Sequence, residues 1–337
     1  MSTKMRLGLI GAGGIAQTYV QALAQSATAE LVGVADVRAQ AAQALAERIG
    51  CPAFSSYEDL LSQSNCEGAI VCTPPVTHPE ICCSLLDRGL HVLCEKPLAI
   101  GPEEARAMVA AAERSDAQLT MASKFRYARD VVEAKSIVAS GLIGEVVLFE
   151  NAFTSRVEMK SRWNSDPTIS GGGVLVDNGT HSVDILRYFL GPLVEIQVVE
   201  GRRIQDIPVE DTVRVFVRSA AGVMGSIDLS WSLNKELPYY ISVYGSAGTL
   251  HVGWKESKFR RASDAEWTVF GSGYDKVQAF SSQIDNFVRS IGGLEPPLIT
   301  LADALASVEV IDAAYDAMWR ATWVPIDSGL SQSFAIA

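Results

Sequence analysis

Arg6-Leu7-Gly8-Leu9-Ile10-Gly11-Ala12-Gly13-Gly14-Ile15-Ala16 decides the fold. A short apolar strand runs into Gly-x-Gly-x-x-Ala, and an alanine-rich helical stretch continues to about Gln25. Gly11 permits the tight turn, Gly13 lets the backbone approach a pyrophosphate, and Ala16 lets helix and strand pack closely. Gly14 and Ile15 complete the turn, at a helix N-terminus whose N–H groups suit phosphate oxygens. The next strand, Glu30-Leu31-Val32-Gly33-Val34-Ala35, ends at Asp36, about 20 residues past the turn, where an acid accepts both hydroxyls of an adenosine ribose. Asp36 therefore favours NAD. Arg38 is a candidate for a 2′-phosphate and keeps NADP as the alternative.

The alternation continues outward from this unit. Helices are expected near 38–49, 57–63, 77–88 and 101–115, and strands near Ala53, 68–72, 91–94 and 118–122. Gly68-Ala69-Ile70-Val71-Cys72 is wholly apolar, as in a buried parallel strand. The pattern predicts a doubly wound parallel sheet of Rossmann type, with ligands at the carboxyl ends of the strands. Thr73, Pro74, His78, Glu95 and Lys96 fall at such ends and are candidate cofactor contacts.

From Phe125 the alternation stops. A helix near 130–140 and a long strand near 145–153 lead to Gly171-Gly172-Gly173, which opens a helix ending at Gly191-Pro192. With a start by about Val176, Asp177 and His181 lie one turn apart on one helix face. A carboxylate beside an imidazole fixes its tautomer and raises its basicity, which suits a base removing an alcohol proton. Strand-like runs follow near 194–203, 211–218, 223–230, 239–245 and 249–252, then helices near 277–290 and 301–322. The expected fold is thus α/β followed by an α+β domain with a largely antiparallel open sheet. Its boundaries are 1–124 for dinucleotide binding and 125–337 for substrate binding and oligomerisation. Lys124, Arg126 and Tyr127, and Arg162, Trp163 and Asn164, are candidates to contact a hydroxyl-rich substrate. Val213, Val215, Val217, Ile227 and Leu229 alternate with period two and are expected on the sheet's outer face, in need of cover.

These pieces resemble the Gfo/Idh/MocA oxidoreductases, the glucose–fructose oxidoreductase and inositol dehydrogenase group. The matching residues are Gly11–Ala16, Thr73-Pro74-Pro75 with His78, Gly89-Leu90-His91-Val92-Leu93-Cys94-Glu95-Lys96-Pro97, and Gly171 to His181, in the expected order. The resemblance implies that Lys96 contacts the reacting hydroxyl. It also implies that Asp177 and His181 form the inositol dehydrogenase-type pair. Members with Tyr at the histidine position are not matched, nor is the secretory signal of some members. The expected activity is an NAD(P)-dependent dehydrogenase of a secondary hydroxyl on a sugar, polyol or sugar derivative. The alternatives are an NAD-dependent glycosidase of the same superfamily and a non-catalytic dinucleotide sensor. Family members commonly associate through the second sheet, so a dimer or tetramer is expected.

Composition agrees. A chain of 337 residues is long enough for two cores, and 48% hydrophobic with 20% charged residues is ordinary for a globular protein. A net charge of −11 argues against nucleic acid and anionic membranes as partners. No apolar run reaches the ~20 residues of a membrane span, and Met1 to Lys4 leads straight into a strand, so a cytoplasmic protein is expected. The six cysteines form no Cys-x-x-Cys pair and the four histidines are scattered, so no metal site is expected.

Overall fold

The computed structural model describes residues 4–326. They divide into two compact units. One holds the chain up to Tyr127 together with Asp275–Leu305; the other holds Ala128–Tyr274 and the residues from Ala306 on. The sequence places a single boundary at 124/125, whereas the chain crosses between units three times. The expected outer limits, residues 1 and 337, lie outside the described residues.

The first unit begins β1 (Met5–Ile10), α1 (Ala16–Leu23), β2 (Ala29–Ala35), α2 (Ala39–Ile49), β3 (Ala53–Phe54) and α3 (Tyr57–Gln63). It continues β4 (Gly68–Val71), α4 (His78–Leu86), β5 (His91–Glu95), α5 (Pro102–Arg114) and β6 (Leu119–Ala122). The strands form one sheet in the order β3-β2-β1-β4-β5-β6, with every pairing parallel. This is the doubly wound order, and its direction reverses between β1 and β4, where such sheets open a crevice for ligands. Local signals explain the helix limits. Gly50 ends α2 at φ +79°, and Pro102 sits in the first turn of α5, where its missing N–H is no loss.

The second unit contains α6 (Arg129–Ala139), β7 (Val146–Thr154), α7 (Pro167–Ser170), α8 (Val174–Leu190), β8 (Leu193–Glu200), β9 (Thr212–Ser219) and β10 (Met224–Ser230). Then come β11 (Tyr239–Gly245), β12 (Gly248–Gly253), β13 (Ser257–Arg261) and β14 (Thr268–Gly271). After α9 (Lys276–Ile291), which belongs to the first unit, α10 (Leu301–Arg320) and β15 (Val324–Pro325) complete the described chain. Nine strands pair in the order β14-β13-β12-β11-β7-β10-β9-β8-β15, antiparallel throughout except β7 with β10.

One expectation is corrected here. Val213, Val215, Val217, Ile227 and Leu229 do alternate, but they are buried and form the face that α8 covers. The opposite face carries Leu148, Glu150, Arg214, Phe216, Arg218 and Met224, all half-buried or exposed. Period two identifies two faces but not which one a helix will cover. Among the described residues no helix is long and apolar enough to cross a membrane.

Candidate active site

In the first unit the candidate cofactor residues lie at the carboxyl ends of β1, β2, β4 and β5. Gly11 has φ +95°, and a Cβ there would lie 2.8 Å from the carbonyl carbon and oxygen of Cys72. Only glycine lets these two strand ends close on each other at the switch point. Gly13 and Gly14 are different: a Cβ on either would meet no protein atom within 4 Å. Their lack of side chains serves no packing in the protein and leaves a bare cradle before α1, whose N-terminus has no side-chain cap. That room fits a pyrophosphate.

Asp36 fixes the rim of the cradle. One carboxylate oxygen accepts from Ala12 N at 2.7 Å, and the other from Arg38 N at 2.8 Å and Arg38 Nε at 3.2 Å. Burial pushes the Asp36 carboxyl up, but the bonds from Arg38 and Ala12 outweigh it and hold the group below the usual carboxylate range. Asp36 is therefore a carboxylate at neutral pH, as ribose recognition requires. Arg38, largely exposed, is held against it.

At the ends of β4 and β5, His78 is wholly buried, with Nδ1 2.9 Å from Pro97 O and Nε2 2.9 Å from Thr73 O. Burial pushes its ionisation down, against the pull of the Thr73, Pro97 and Leu98 carbonyls. His78, expected as a cofactor contact, lies between the Thr73-Pro74 turn and the Lys96-Pro97 turn. Glu95 is likewise turned into the fold. Its carboxylate accepts from Tyr19 Oη at 2.8 Å and Lys96 N at 3.2 Å, and Tyr19 Oη accepts from Gln283 Nε2 at 3.0 Å. Burial raises its ionisation, opposed by Lys124, Lys96 and Tyr19. Lys96 itself is half-buried at the strand end.

Arg126 and Tyr127 were expected as substrate contacts. Both are buried. Arg126 reaches Leu298 O at 3.3 Å and Asp303 at 3.4 Å, and Tyr127 Oη donates to Asn286 Oδ1 at 3.2 Å. They fasten the turn after β6 to the later segment of the same unit. Lys124 lies 5.0 Å from the Phe125 ring centroid and 6.0 Å from that of Phe280.

The second unit carries its candidate residues on α8. The helix starts at Val174, so Asp177 lies in its first turn and His181 one turn on, along one face. Asp177 is half-buried and His181 is buried, with its ring edge-on to Phe153 at 6.5 Å between centroids. Asn178, which the sequence did not single out, reaches Phe153 O at 3.4 Å from the same stretch. Arg162 and Trp163 are exposed and Asn164 half-buried in the turn that precedes α7. The residues that hold α8 in place, Glu210 and Tyr315, also went unread. An acid in a loop and a tyrosine on a late helix carry no local mark of that role.

A parallel doubly wound sheet, a bare glycine cradle at its switch point and an ionised acid at the end of β2 define a dinucleotide-binding protein. More narrowly, residues 5–123 match the family model described as the oxidoreductase family GFO/IDH/MocA, NAD-binding Rossmann fold, and residues 131–251 match the GFO/IDH/MocA C-terminal domain. The chain belongs to this oxidoreductase family. It is 27% identical to the rhizopine catabolism protein MocA of Rhizobium meliloti over 329 residues, covering 94% of this chain and 96% of that protein. Inositol 2-dehydrogenase of Rhizobium meliloti is 26% identical over 330 residues, 92% of this chain and 96% of that protein. Among solved structures, levoglucosan dehydrogenase in complex with NADH and levoglucosan superposes with a TM-score of 0.88, at 22% identity, over 96% of this chain and all (100%) of that one.

Proposed function

We propose that the protein oxidises a secondary hydroxyl of a sugar, polyol or sugar derivative, with NAD as the favoured cofactor and NADP as the alternative. The observation that carries this reading is the pair Asp177 and His181 on successive turns of α8, in a chain whose first unit presents a bare glycine cradle and an ionised Asp36. The named relatives support the substrate class: inositol 2-dehydrogenase, glucose-6-phosphate 3-dehydrogenase and D-glucoside 3-dehydrogenase. The glycosidase and sensor readings have no such support.

The turn at Gly11, Gly13, Gly14 and Ile15 holds the pyrophosphate, Asp36 the adenosine ribose, and Thr73 and Pro74 line the path towards Lys96. Bound NAD supplies the acceptor for the hydride that leaves the oxidised carbon. His181 takes the hydroxyl proton and Asp177 orients and supports its ring. Lys96 stabilises negative charge developing on the substrate oxygen. Trp163 offers a ring face to a sugar, and Arg162 and Asn164 bond its hydroxyls. The reading also includes a cytoplasmic homo-oligomer, dimer or tetramer, supported by exposed apolar groups such as Met224 on the open sheet face.

The test is steady-state cofactor reduction over inositols, aldoses, sugar acids and nucleotide sugars, with NAD and NADP in parallel. Reduced cofactor should accumulate with at least one class, and His181→Ala should lower that rate by roughly 10²- to 10⁴-fold. Absence of net reduction across the panel, despite tight NAD binding, would favour the glycosidase, which recycles its cofactor within each turnover.

A further inference from the structure

The second unit contains a buried acid that the reaction does not use. Glu210 is 3% exposed and lies in the loop between β8 and β9, remote in sequence from α8. Helix α8 begins on Gly173, which has no side chain to cap its first turn. Glu210 supplies the cap from outside. Its Oε1 accepts from Gly173 N and Leu175 N, each at 3.0 Å, and its backbone carbonyl accepts from Val174 N at 3.0 Å. One residue thus satisfies three successive N–H groups at the start of the helix. Tyr315 Oη completes the arrangement, donating to Glu210 Oε1 at 2.9 Å and accepting from Gly173 N at 3.2 Å.

The glycine run is explained by this contact. A Cβ on Gly172 would lie 1.8 Å from Tyr315 Oη, and one on Gly173 would lie 2.1 Å from Glu210 O. The glycines let α8 dock against Glu210 and Tyr315. Asp177 N then bonds Gly173 O at 3.0 Å, so the candidate catalytic turn hangs directly on the capped one. Burial pushes the Glu210 carboxyl up, and the N–H groups and Tyr315 pull the other way, which shows how closely the group is enclosed.

We infer that Glu210, with Tyr315, is a positioning residue for the Asp177–His181 pair: it fixes the start of α8 and so where these two side chains are presented. The inference rests on the proposed roles of Asp177 and His181. A misplacement of about 1 Å at a reacting group costs up to ~10²-fold in rate. Removing the cap therefore acts on kcat, while cofactor affinity, set by residues of the first unit, is left alone.

The experiment compares Glu210→Ala, Glu210→Gln, His181→Ala and Glu210→Ala/His181→Ala, each checked for native circular dichroism. Turnover is read with NAD and whichever inositol, aldose, sugar acid or nucleotide sugar the unmodified protein oxidises. Glu210→Ala should lower kcat by roughly 10- to 100-fold with NAD affinity unchanged. Glu210→Gln keeps an acceptor oxygen for the two N–H groups and should restore kcat to within roughly threefold. In the His181→Ala background, Glu210→Ala should cause no further loss, because the base it positions is already gone. Equal losses in both backgrounds, or an unchanged kcat in folded Glu210→Ala while His181→Ala is crippled, would overturn the inference and leave the catalytic reading standing. Normal turnover in His181→Ala overturns both. Should Glu210→Ala not fold, Tyr315→Phe removes the bridging hydroxyl alone and should show a several-fold fall in kcat with the same non-additivity; an additive fall or none overturns the inference.

Discussion

At the scale of single residues, Asp36 and Arg38 show how two neighbouring side chains divide one task. The carboxylate accepts from Ala12 N and from Arg38, so the end of β2 and the glycine turn share one anchor. Asp36→Ser removes the acceptor pair for the ribose hydroxyls and frees the guanidinium, which then pairs with a 2′-phosphate. By calorimetry the unmodified protein should bind NAD more tightly than NADP, and Asp36→Ser should narrow or reverse that order. Tighter NADP binding before the substitution would contradict the role given to Asp36. The tight turn at Gly11 was readable because the motif carries its own spacing. The intramolecular partners of His78, Glu95, Arg126 and Tyr127 were not foreseen. A polar residue near a strand end looks the same in sequence whether its partner is a ligand or a carbonyl brought in from far along the chain. Thr73 O and Pro97 O each lie 2.9 Å from a ring nitrogen of His78, and no local pattern announces that.

Among the elements, those with local start and stop signals were found within a few residues, and α2 and α5 are examples. β13 and β14 were missed, since Ser257-Lys258-Phe259-Arg260-Arg261 is a charged run near the sheet edge and lacks the apolar alternation of central strands. Loops were the least readable, and Asp211 shows why. One of its oxygens accepts from Ile204 N, Gln205 N and Ser232 Oγ, all at 2.8 Å, and Gln205 Nε2 passes the tie on to Val157 O at 2.8 Å. Burial pushes the Asp211 carboxyl up, but the hydrogen bonds from Gln205, Ile204, Ser232 and Thr212 prevail and hold it below the usual range. A carboxylate with a depressed folded-state ionisation contributes stability that is complete above the ~3.9 of a free aspartate and vanishes as pH falls through its own lower value. Asp211→Asn should therefore cost about 1–2 kcal/mol at neutral pH, and the gap to the unmodified protein should close in acid. Urea unfolding at a series of pH values measures this; a gap that stays constant into strong acid would show that the charge is not what stabilises the loop.

For the whole molecule, the feature least visible beforehand is the return of the chain to its first unit. The amphipathic pattern of α9 says that one face is covered but not by which sheet. In the structure that face, Ala279, Phe280, Gln283, Ile284 and Phe287, is buried, and the three large apolar residues join the core built around Leu7, Leu9, Tyr19 and Ala29. Tyr19 meets Phe280 edge-on at 4.7 Å between centroids, and Gln283, a polar residue in an apolar face, is there to bond Tyr19 Oη. The first unit is thus incomplete without a helix more than 140 residues beyond Tyr127, its last earlier residue. Phe287→Ala removes a wholly buried ring and should destabilise the first unit by about 3–5 kcal/mol, the usual range for such a truncation. Spectroscopy can separate the units, because all six tryptophans lie in the second one. NAD stabilises only the unit that binds it, by an amount set by its concentration and affinity. The loss in Phe287→Ala should therefore appear in the NAD-sensitive part of urea unfolding followed by far-ultraviolet circular dichroism. A shift confined to tryptophan fluorescence, with the NAD-sensitive transition unmoved, would place α9 with the other core.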